Sequence, residues 1–337
     1  MHTRVSIIIP THNGAHLLPE CLDALWHQTY RDFELIVVDD ASTDNSAELL
    51  LAYPEVKHLV RLPGERGNGF VAAANAGLTE ASGDIIVFLN NDAVPEPDWL
   101  GELVGALDRN PWASMATSRL MLYDRPGHFH STGDYYGLNG VPNSRGVWQA
   151  DMGQYEREEE VFGPCAAAAA YRSEVLADLA IHGGTTPPGY VLDPQLWMYC
   201  EDVDLNLRAR LRGHRTVYVP TAGVRHRLSA TGGGTLASYY VGRNLIYLIA
   251  KDLPWRVIRR HVPGIVGAQM RLAFDALRAI RGAAARARLR GMLVGLLTWP
   301  RVLPARRRVL STTLVSPTQF EKTIKRFSRQ AEDSSSR

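Results

Sequence analysis

The stretch Asp84–Ile85–Ile86–Val87–Phe88–Leu89–Asn90–Asn91–Asp92 constrains this chain more than any other. Its five consecutive large apolar residues leave no polar face. That is the pattern of a central parallel strand covered on both sides. The run stops at Asn90–Asn91–Asp92, and Pro95 and Pro97 bar a simple continuation. One carboxylate and two amides are left just past the carboxyl end of the strand. In open α/β sheets ligands bind at that edge. A single acidic strand end also suits a turn or a helix cap, so the neighbouring strands decide.

They repeat the pattern. Val5–Pro10 reads as a first strand and Thr11–Gly14 as its turn. Leu17, Leu18, Cys21, Leu22 and Leu25 then recur at helical spacing, giving a helix to about Gln28. Phe33–Val38 is a second buried strand ending at Asp39–Asp40, and Ser42, Thr43 and Asp44 offer caps to a helix through Leu51. The βαβ unit implies a right-handed crossover. His58–Leu62 fits a third strand. The loop Gly64–Phe70 feeds an alanine-rich helix, Val71–Ala81, but lacks GxGxxG spacing and the lysine of a P-loop. Two acidic strand ends thus fall on one edge of a parallel sheet.

Further on the pattern loosens. Trp99–Leu107 is a short helix, and residues 112–165 scatter Tyr123, Tyr135, Tyr136 and Trp148 among glycines and prolines. Such aromatics suit sugar stacking and equally an ordinary core. The five alanines of Val161–Tyr171 fit strand or helix. Glu201–Asp202–Val203–Asp204 leads into the helix Leu205–Leu211, Arg215–Pro220 is a last strand with Gly223–Arg227 beyond it, and Ser238–Ala250 is helical.

The net charge of +2 hides an asymmetry. Of 37 Lys and Arg, 18 precede Lys251 and 19 follow from it; of 35 Asp and Glu, 30 precede and 5 follow. The body is therefore −12 and the tail +14. A basic tail suits an anionic membrane surface or a nucleic acid, or a set of solvated helices that offsets the body. Its apolar run Met292–Trp299 falls short of the ~20 residues that span a bilayer, so it reads as interfacial. Val5–Pro10 opens a strand and is no signal peptide. Cys21, Cys165 and Cys200 show no metal spacing and read as buried thiols in a reducing cytosol.

In this order, Val5–Asn13, Val37–Asp44, Asn68–Gly69–Phe70 with Ala74–Asn75, Asn90–Asn91–Asp92 and Glu201–Asp204 resemble glycosyltransferase family 2. Residues 4–250 carry the likeness. It is nearest the bacterial rhamnosyl-, galactosyl- and galactofuranosyl-type transferases. The resemblance implies a GT-A fold, a Rossmann-like and mostly parallel sheet flanked by helices. The expected division is a catalytic domain over 1–250, a basic helical extension over 251–327 and a disordered end over 328–337. It also implies inverting transfer from a nucleotide-diphosphate sugar to a glycan or lipid-linked acceptor in surface-polysaccharide synthesis, at the cytoplasmic face of the membrane. Thr11, Asn13, Asp39, Asp40, Arg66, Asn68, Gly69, Asn90 and Asn91 would line the nucleotide-sugar pocket, with Asp40 accepting from the base. Asp92 would hold Mg²⁺ or Mn²⁺ on the diphosphate. His226, 24 residues after Asp202, would be a second ligand. Asp202 would be the catalytic base, ionised by helix-start amides. Asp204 suits a capping role.

Two departures stand out. Asn90 replaces the first carboxylate of the family's DxD, and Leu192–Asp193–Pro194–Gln195 replaces its Gly-Phe-Asp-Glu after a Gly183–Gly189 loop. The Gln-x-x-Arg-Trp motif of processive synthases is absent. A nucleotidyltransferase would need basic residues in the Thr11–Gly14 turn, which has none. A degenerate nucleotide-sugar-binding module is the non-enzymatic alternative. For the tail, membrane is favoured over nucleic acid.

Overall fold

A computed structural model describes residues 3–53, 56–64, 67–181, 190–228 and 233–335. Arg66 and the Gly183–Gly189 loop lie outside the described residues. The first half alternates as expected: β1 (Val5–Thr11), α1 (Leu18–Trp26), β2 (Phe33–Asp40), α2 (Ser46–Leu51), β3 (Val56–Leu62), α3 (Phe70–Glu80) and β4 (Ile85–Leu89). β1 lies between β4 and β2, and both of these pairings and β2–β3 are parallel. β1 and β4 are buried along their whole length, which is why their sequences show no alternation. The register sets Thr11 beside Asp39, so the first two strands end together.

The middle of the chain supplies β5 (Ala93–Pro95), α4 (Trp99–Arg109), β6 (Met115–Leu122), β7 (Phe129–Ser131), β8 (Asp134–Tyr136), β9 (Pro142–Ser144), β10 (Glu159–Val161), β11 (Ala168–Arg172) and α5 (Ser173–Leu179). The alanine run becomes β11, which pairs antiparallel with β4 and β6. The large sheet runs β10-β12-β6-β11-β4-β1-β2-β3. α6 (Glu201–Arg212) precedes β12 (Thr216–His226). β12 is one strand with an irregularity between Val219 and Gly223, so His226 is its last residue and lies within it, not beyond it.

The remaining helices are α7 (Gly234–Asp252), α8 (Trp255–Arg278), α9 (Ala283–Thr298), α10 (Leu303–Ser311) and α11 (Pro317–Ser335). The expected boundary at 250/251 falls inside α7, whose Lys251 is buried. Leu245, Leu248, Val257, Phe320 and Phe327 share one apolar cluster with Tyr136, Phe162 and Leu207. The extension therefore grows from the body without a linker. The end expected to be disordered from 328 is helical to Ser335, because Phe327 and Ala331 are buried and Gln330 donates to Glu159 at 2.6 Å.

Candidate active site

The turns after β1 and β2 interlock. Asn13 takes a left-handed backbone (φ 53°), and its Oδ1 accepts the Thr43 amide at 2.7 Å. The Asn13 amide donates to Ser42 Oγ at 2.8 Å. Asp40 gathers the glycine-rich loop. Its oxygens accept the Asn68 amide at 2.7 and 2.8 Å, the Asn68 side chain at 2.9 Å and the Gly69 amide at 2.8 Å. A carboxylate has about four acceptor positions, so these bonds fill it. Asp40 thus fixes the backbone of the glycine-rich loop at Asn68 and Gly69. Asp39 is buried, accepts the Ser42 amide at 3.2 Å and faces Arg61 Nε at 3.3 Å.

At the end of β4, Asn91 Nδ2 donates to Thr11 Oγ1 at 2.8 Å, tying the two strand ends together. Asp92 is buried, and its Oδ1 accepts no hydrogen bond although His226 Nε2 stands 3.0 Å away. Asn90 Nδ2 is 3.4 Å from the same ring nitrogen. β5 pairs with β12, setting His226 opposite Ala93 and so next to Asp92. A carboxylate oxygen without a hydrogen bond beside an imidazole nitrogen is a donor set that fits a divalent cation. Two protein ligands leave most of the coordination shell for other oxygens.

His130, which the sequence did not single out, completes this corner. Its ring stacks on His226 at 4.8 Å and 15°, with the two Nδ1 atoms 3.1 Å apart. Burial, then the neighbouring His226, pushes His130 down to about 3, so it is a neutral acceptor. A proton on His226 Nδ1 shared with it would leave Nε2 free to ligate.

Asp202 enters from the other side, at the start of α6. The chain reaches it through Trp197, Tyr199 and Cys200, all left-handed with φ of 64°, 63° and 66°. Non-glycine residues adopt this region only where surroundings enforce it. Here α7 enforces it. Asn244 Nδ2 donates to the carbonyls of Leu196, Met198 and Tyr199 at 3.0, 3.0 and 2.7 Å, and Tyr240 stacks on Trp197 at 4.7 Å. Trp197 in turn presses on the glycine-rich loop. A Cβ at Gly69, whose φ is 90°, would lie 2.6 Å from the Trp197 carbonyl, so only glycine fits. The loop held by Asp40 and the turn delivering Asp202 are therefore packed as one unit. Tyr199 links the two halves: burial pushes its hydroxyl up to about 12, helped by the charges of Glu201 and Asp92.

Burial also pushes the Asp202 carboxyl above its ordinary value, against amide bonds from Val203 at 2.8 Å and Ala166 at 3.5 Å that favour the anion. The helix-start amides moderate the burial cost without overcoming it, contrary to expectation. Glu201 rises to about 8 through burial and the charge of Asp202. Asp134, on β8, is a second unexpected neighbour. It accepts the hydroxyls of Ser144 at 2.8 Å and Ser131 at 3.2 Å. Burial and Asp202 push it up to about 7. Among the described residues, Asp134, Cys165 and Asp202 form the one trio with ligand atoms within 4.8 Å of each other. Burial holds the Cys165 thiol well above its ordinary value. A protonated thiol and a proton-retaining carboxyl suit proton sharing better than a hard cation.

Asp204, expected at a cap, does something else. Its Oδ2 receives Arg208 at 2.8 and 3.0 Å, and Lys251 Nζ meets its Oδ1 and Asp193 Oδ2, the latter at 2.7 Å. All four side chains are buried. This network locks α6 to α7. Asp193 stands where the family pattern is broken.

With this geometry in view, the comparisons are informative. The chain belongs to glycosyltransferase family 2, whose profile matches residues 6–180. It is 29% identical over 233 residues to the O-antigen biosynthesis protein RfbC of Myxococcus xanthus, covering 68% of this chain and 18% of that one. The chain spans about a fifth to a third of the length of the curated relatives it matches first. Its fold is that of S. aureus TarS 1-349 solved with UDP-GlcNAc (TM-score 0.54, 15% identity, 97% of this chain and 92% of that one). It is also that of the Pyrobaculum calidifontis mannosyltransferase PcManGT, solved with GDP-Man and Mn²⁺ (TM-score 0.50, 20% identity, 92% and 75%). The GT-A architecture expected from the sequence is the one observed.

Proposed function

We propose that this chain is an inverting, metal-dependent glycosyltransferase. It moves a sugar from a nucleotide-diphosphate sugar to a hydroxyl of a glycan or lipid-linked glycan in cell-surface polysaccharide synthesis. The observation that carries the reading is the pairing of two unlike carboxylates. Asp92 is aimed at a histidine and free of hydrogen bonds, while Asp202 is held above its ordinary proton affinity at a strained helix start. Family membership and neighbours solved with UDP-GlcNAc, or with GDP-Man and Mn²⁺, support the donor class and the cation.

In this reading Asp92 and His226 hold Mg²⁺ or Mn²⁺, with Asn90 beside them. When bound, the cation offsets charge developing on the departing diphosphate. Thr11, Asn13, Asp39, Asn68, Gly69 and Asn91 line the nucleotide pocket, Asp40 fixes its loop, and Arg66 belongs to the same loop. Asp202 takes the proton of the acceptor hydroxyl as that oxygen bonds the anomeric carbon and the bond to the diphosphate breaks. One displacement inverts the centre. In the same reading the protein docks on the cytoplasmic face of an anionic membrane, which the exposed arginines and apolar residues of α8 and α9 support. Among the described residues no helix is long and apolar enough to cross one.

The test is a thermal-shift screen of nucleotide sugars with and without Mn²⁺, followed by transfer assays on the stabilising donor. Ligand binding stabilises by mass action. A donor-specific, Mn²⁺-dependent shift that Asp92→Ala removes is expected. Stabilisation indifferent to Mn²⁺ and to Asp92→Ala would refute the metal assignment.

A further inference from the structure

α7, α8, α9 and α10 enclose an open cavity of about 710 Å³, within the range of lipid and drug-sized pockets. Its wall is almost wholly apolar and includes Ile249, Trp255, Ile265, Met270, Leu296 and Trp299. The apolar surface spreads outward from the opening: Met270 is 68% exposed, Leu296 61% and Trp255 61%. A patch of this kind marks a binding surface.

Three observations choose the occupant. The first is charge. Arg306 lines the cavity with its Nη1 donating to the carbonyls of Ala250 and Leu253. Arg256 and Arg259 stand exposed on the first turns of α8, while Arg260 pairs with Glu321 at 3.4 Å. A ligand with an apolar body and an anionic head complements such a site. The second is Gln269. Its amide lines the cavity with both polar atoms buried and no hydrogen bond. An unanswered buried amide is costly, and a phosphate or ester oxygen would accept a hydrogen bond from its Nε2. The third is position. Asn244 of α7 holds the Tyr199 carbonyl in the turn that delivers Asp202, and Ala250 of the same helix lines the cavity. At 1.5 Å per residue these six positions span about 9 Å. A molecule anchored in the cavity therefore sits close to the catalytic turn.

We propose that this cavity holds the hydrocarbon tail of a lipid-linked glycan acceptor, with Gln269 Nε2 and Arg306 meeting the phosphate oxygens that join tail to glycan. The inference rests on the glycosyltransferase reading only in calling the lipid an acceptor. It adds a binding site to what membrane docking requires, because surface adsorption through arginines and apolar side chains needs no enclosed groove.

The test uses the full chain and sub-micellar alkyl phosphates of eight, ten and twelve carbons, titrated by calorimetry. Each buried methylene should raise affinity about fourfold. Decyl maltoside (same tail, no charge) should bind at least tenfold more weakly than decyl phosphate, and inorganic phosphate not measurably. Met270→Glu introduces charge into the groove, and Ala273→Trp fills it without charge. Both should weaken decyl phosphate at least tenfold while the thermal melt and nucleotide-sugar binding are kept. A diazirine-bearing alkyl phosphate should crosslink to α8 and α9. Equal affinity in both groove variants, no dependence on chain length, or crosslinks confined to other helices would overturn the proposal. Nucleotide-sugar binding and liposome flotation, measured on the same samples, report separately on the transferase reading and on membrane docking.

Discussion

The carboxylates after β2 and those around the start of α6 are held in opposite ways. At the end of β2, Asp40 is filled by the Asn68 and Gly69 donors and Asp39 faces Ser42 and Arg61. At the start of α6, Asp202, Glu201 and Asp134 crowd together with few donors, and burial raises all three. The first arrangement fixes shape and the second stores proton affinity. Asp202 and Asp204 repeat the contrast within one helical turn. Burial works against the Asp204 anion, yet Arg208 and Lys251 outweigh it and hold that carboxyl below its ordinary value. Two positions away, Asp202 has no cation paired with it among the described residues. The lesson is that an acidic cluster in sequence can be half scaffold and half chemistry, and that partners separate the two.

The largest effects should come from the two site carboxylates, beginning with Asp202→Asn. It preserves shape and removes proton acceptance, and base catalysis is worth roughly 10²–10⁴-fold. Turnover should fall by that order while nucleotide-sugar affinity, read by calorimetry, barely moves. Near-wild-type turnover would place the base elsewhere in the cluster. Asp92→Ala should also abolish transfer, but with loss of the Mn²⁺ requirement for donor binding. That second readout keeps the two carboxylates apart.

Much of this was legible in the chain. The uninterrupted runs of β1, β2 and β4 announced a sheet covered on both faces, and their polar ends announced the pocket edge. Asp92 follows the end of β4 and Asp202 lies at the start of α6, as their sequence positions suggest, whereas His226 lies inside β12 and not beyond a strand. Asp134 and His130 did not announce themselves, because both belong to short strands in the irregular middle of the chain. β7 and β8 are three residues each, too short for periodicity, and their partners lie 96 and 68 positions away at His226 and Asp202. The role of Asp204 was hidden for a similar reason. Its partner Arg208 is one turn on, but Lys251 fell just past the expected domain boundary and arrives from the last turn of α7. The folded end from 328 to 335 escaped notice because its polar composition outweighs its buried Ala331 and the buried Phe327 just before it.

Asp204→Asn sharpens the contrast from the scaffold side. Removing one partner from a buried ion pair costs roughly 3–5 kcal/mol, since the remaining cations stay buried. The variant should melt well below wild type, while turnover per folded molecule falls far less than for Asp202→Asn. The sign with pH follows from the lowered carboxyl. Its stabilisation is present above the unfolded value of about 3.9 and is lost as pH falls through the lower folded value. Wild type should therefore lose its advantage over Asp204→Asn in strong acid. A constant difference in melting temperature down to pH 2 would mean that the network contributes packing alone.

The smallest effect, and the most discriminating, belongs to Asp134→Asn. Asp134 and Asp202 are close enough to titrate as a pair, in two steps that belong to both. Amide bonds from Val203 and Ala166 favour the first negative charge on Asp202. The second step then falls near Asp134's value of about 7. The other groups facing this pair are Glu201, Cys165 and Tyr171; the last two hold their protons well beyond neutrality. Ionising Asp134 beside Asp202 strengthens the base, so wild-type turnover should rise a few-fold between pH 6 and 8. Asn at 134 stays neutral, and that rise should vanish while the acid limb stays in place. Stability supplies an independent reading. A folded carboxyl raised above its unfolded value of about 3.9 binds its proton more tightly in the native state, so stability falls as pH climbs from there toward 7. Asp134→Asn should remove this slope and melt higher than wild type at pH 8. If the step near pH 7 survives in Asp134→Asn and disappears in Glu201→Gln, Glu201 is the carboxyl coupled to the base, and Asp134 only packs beside it.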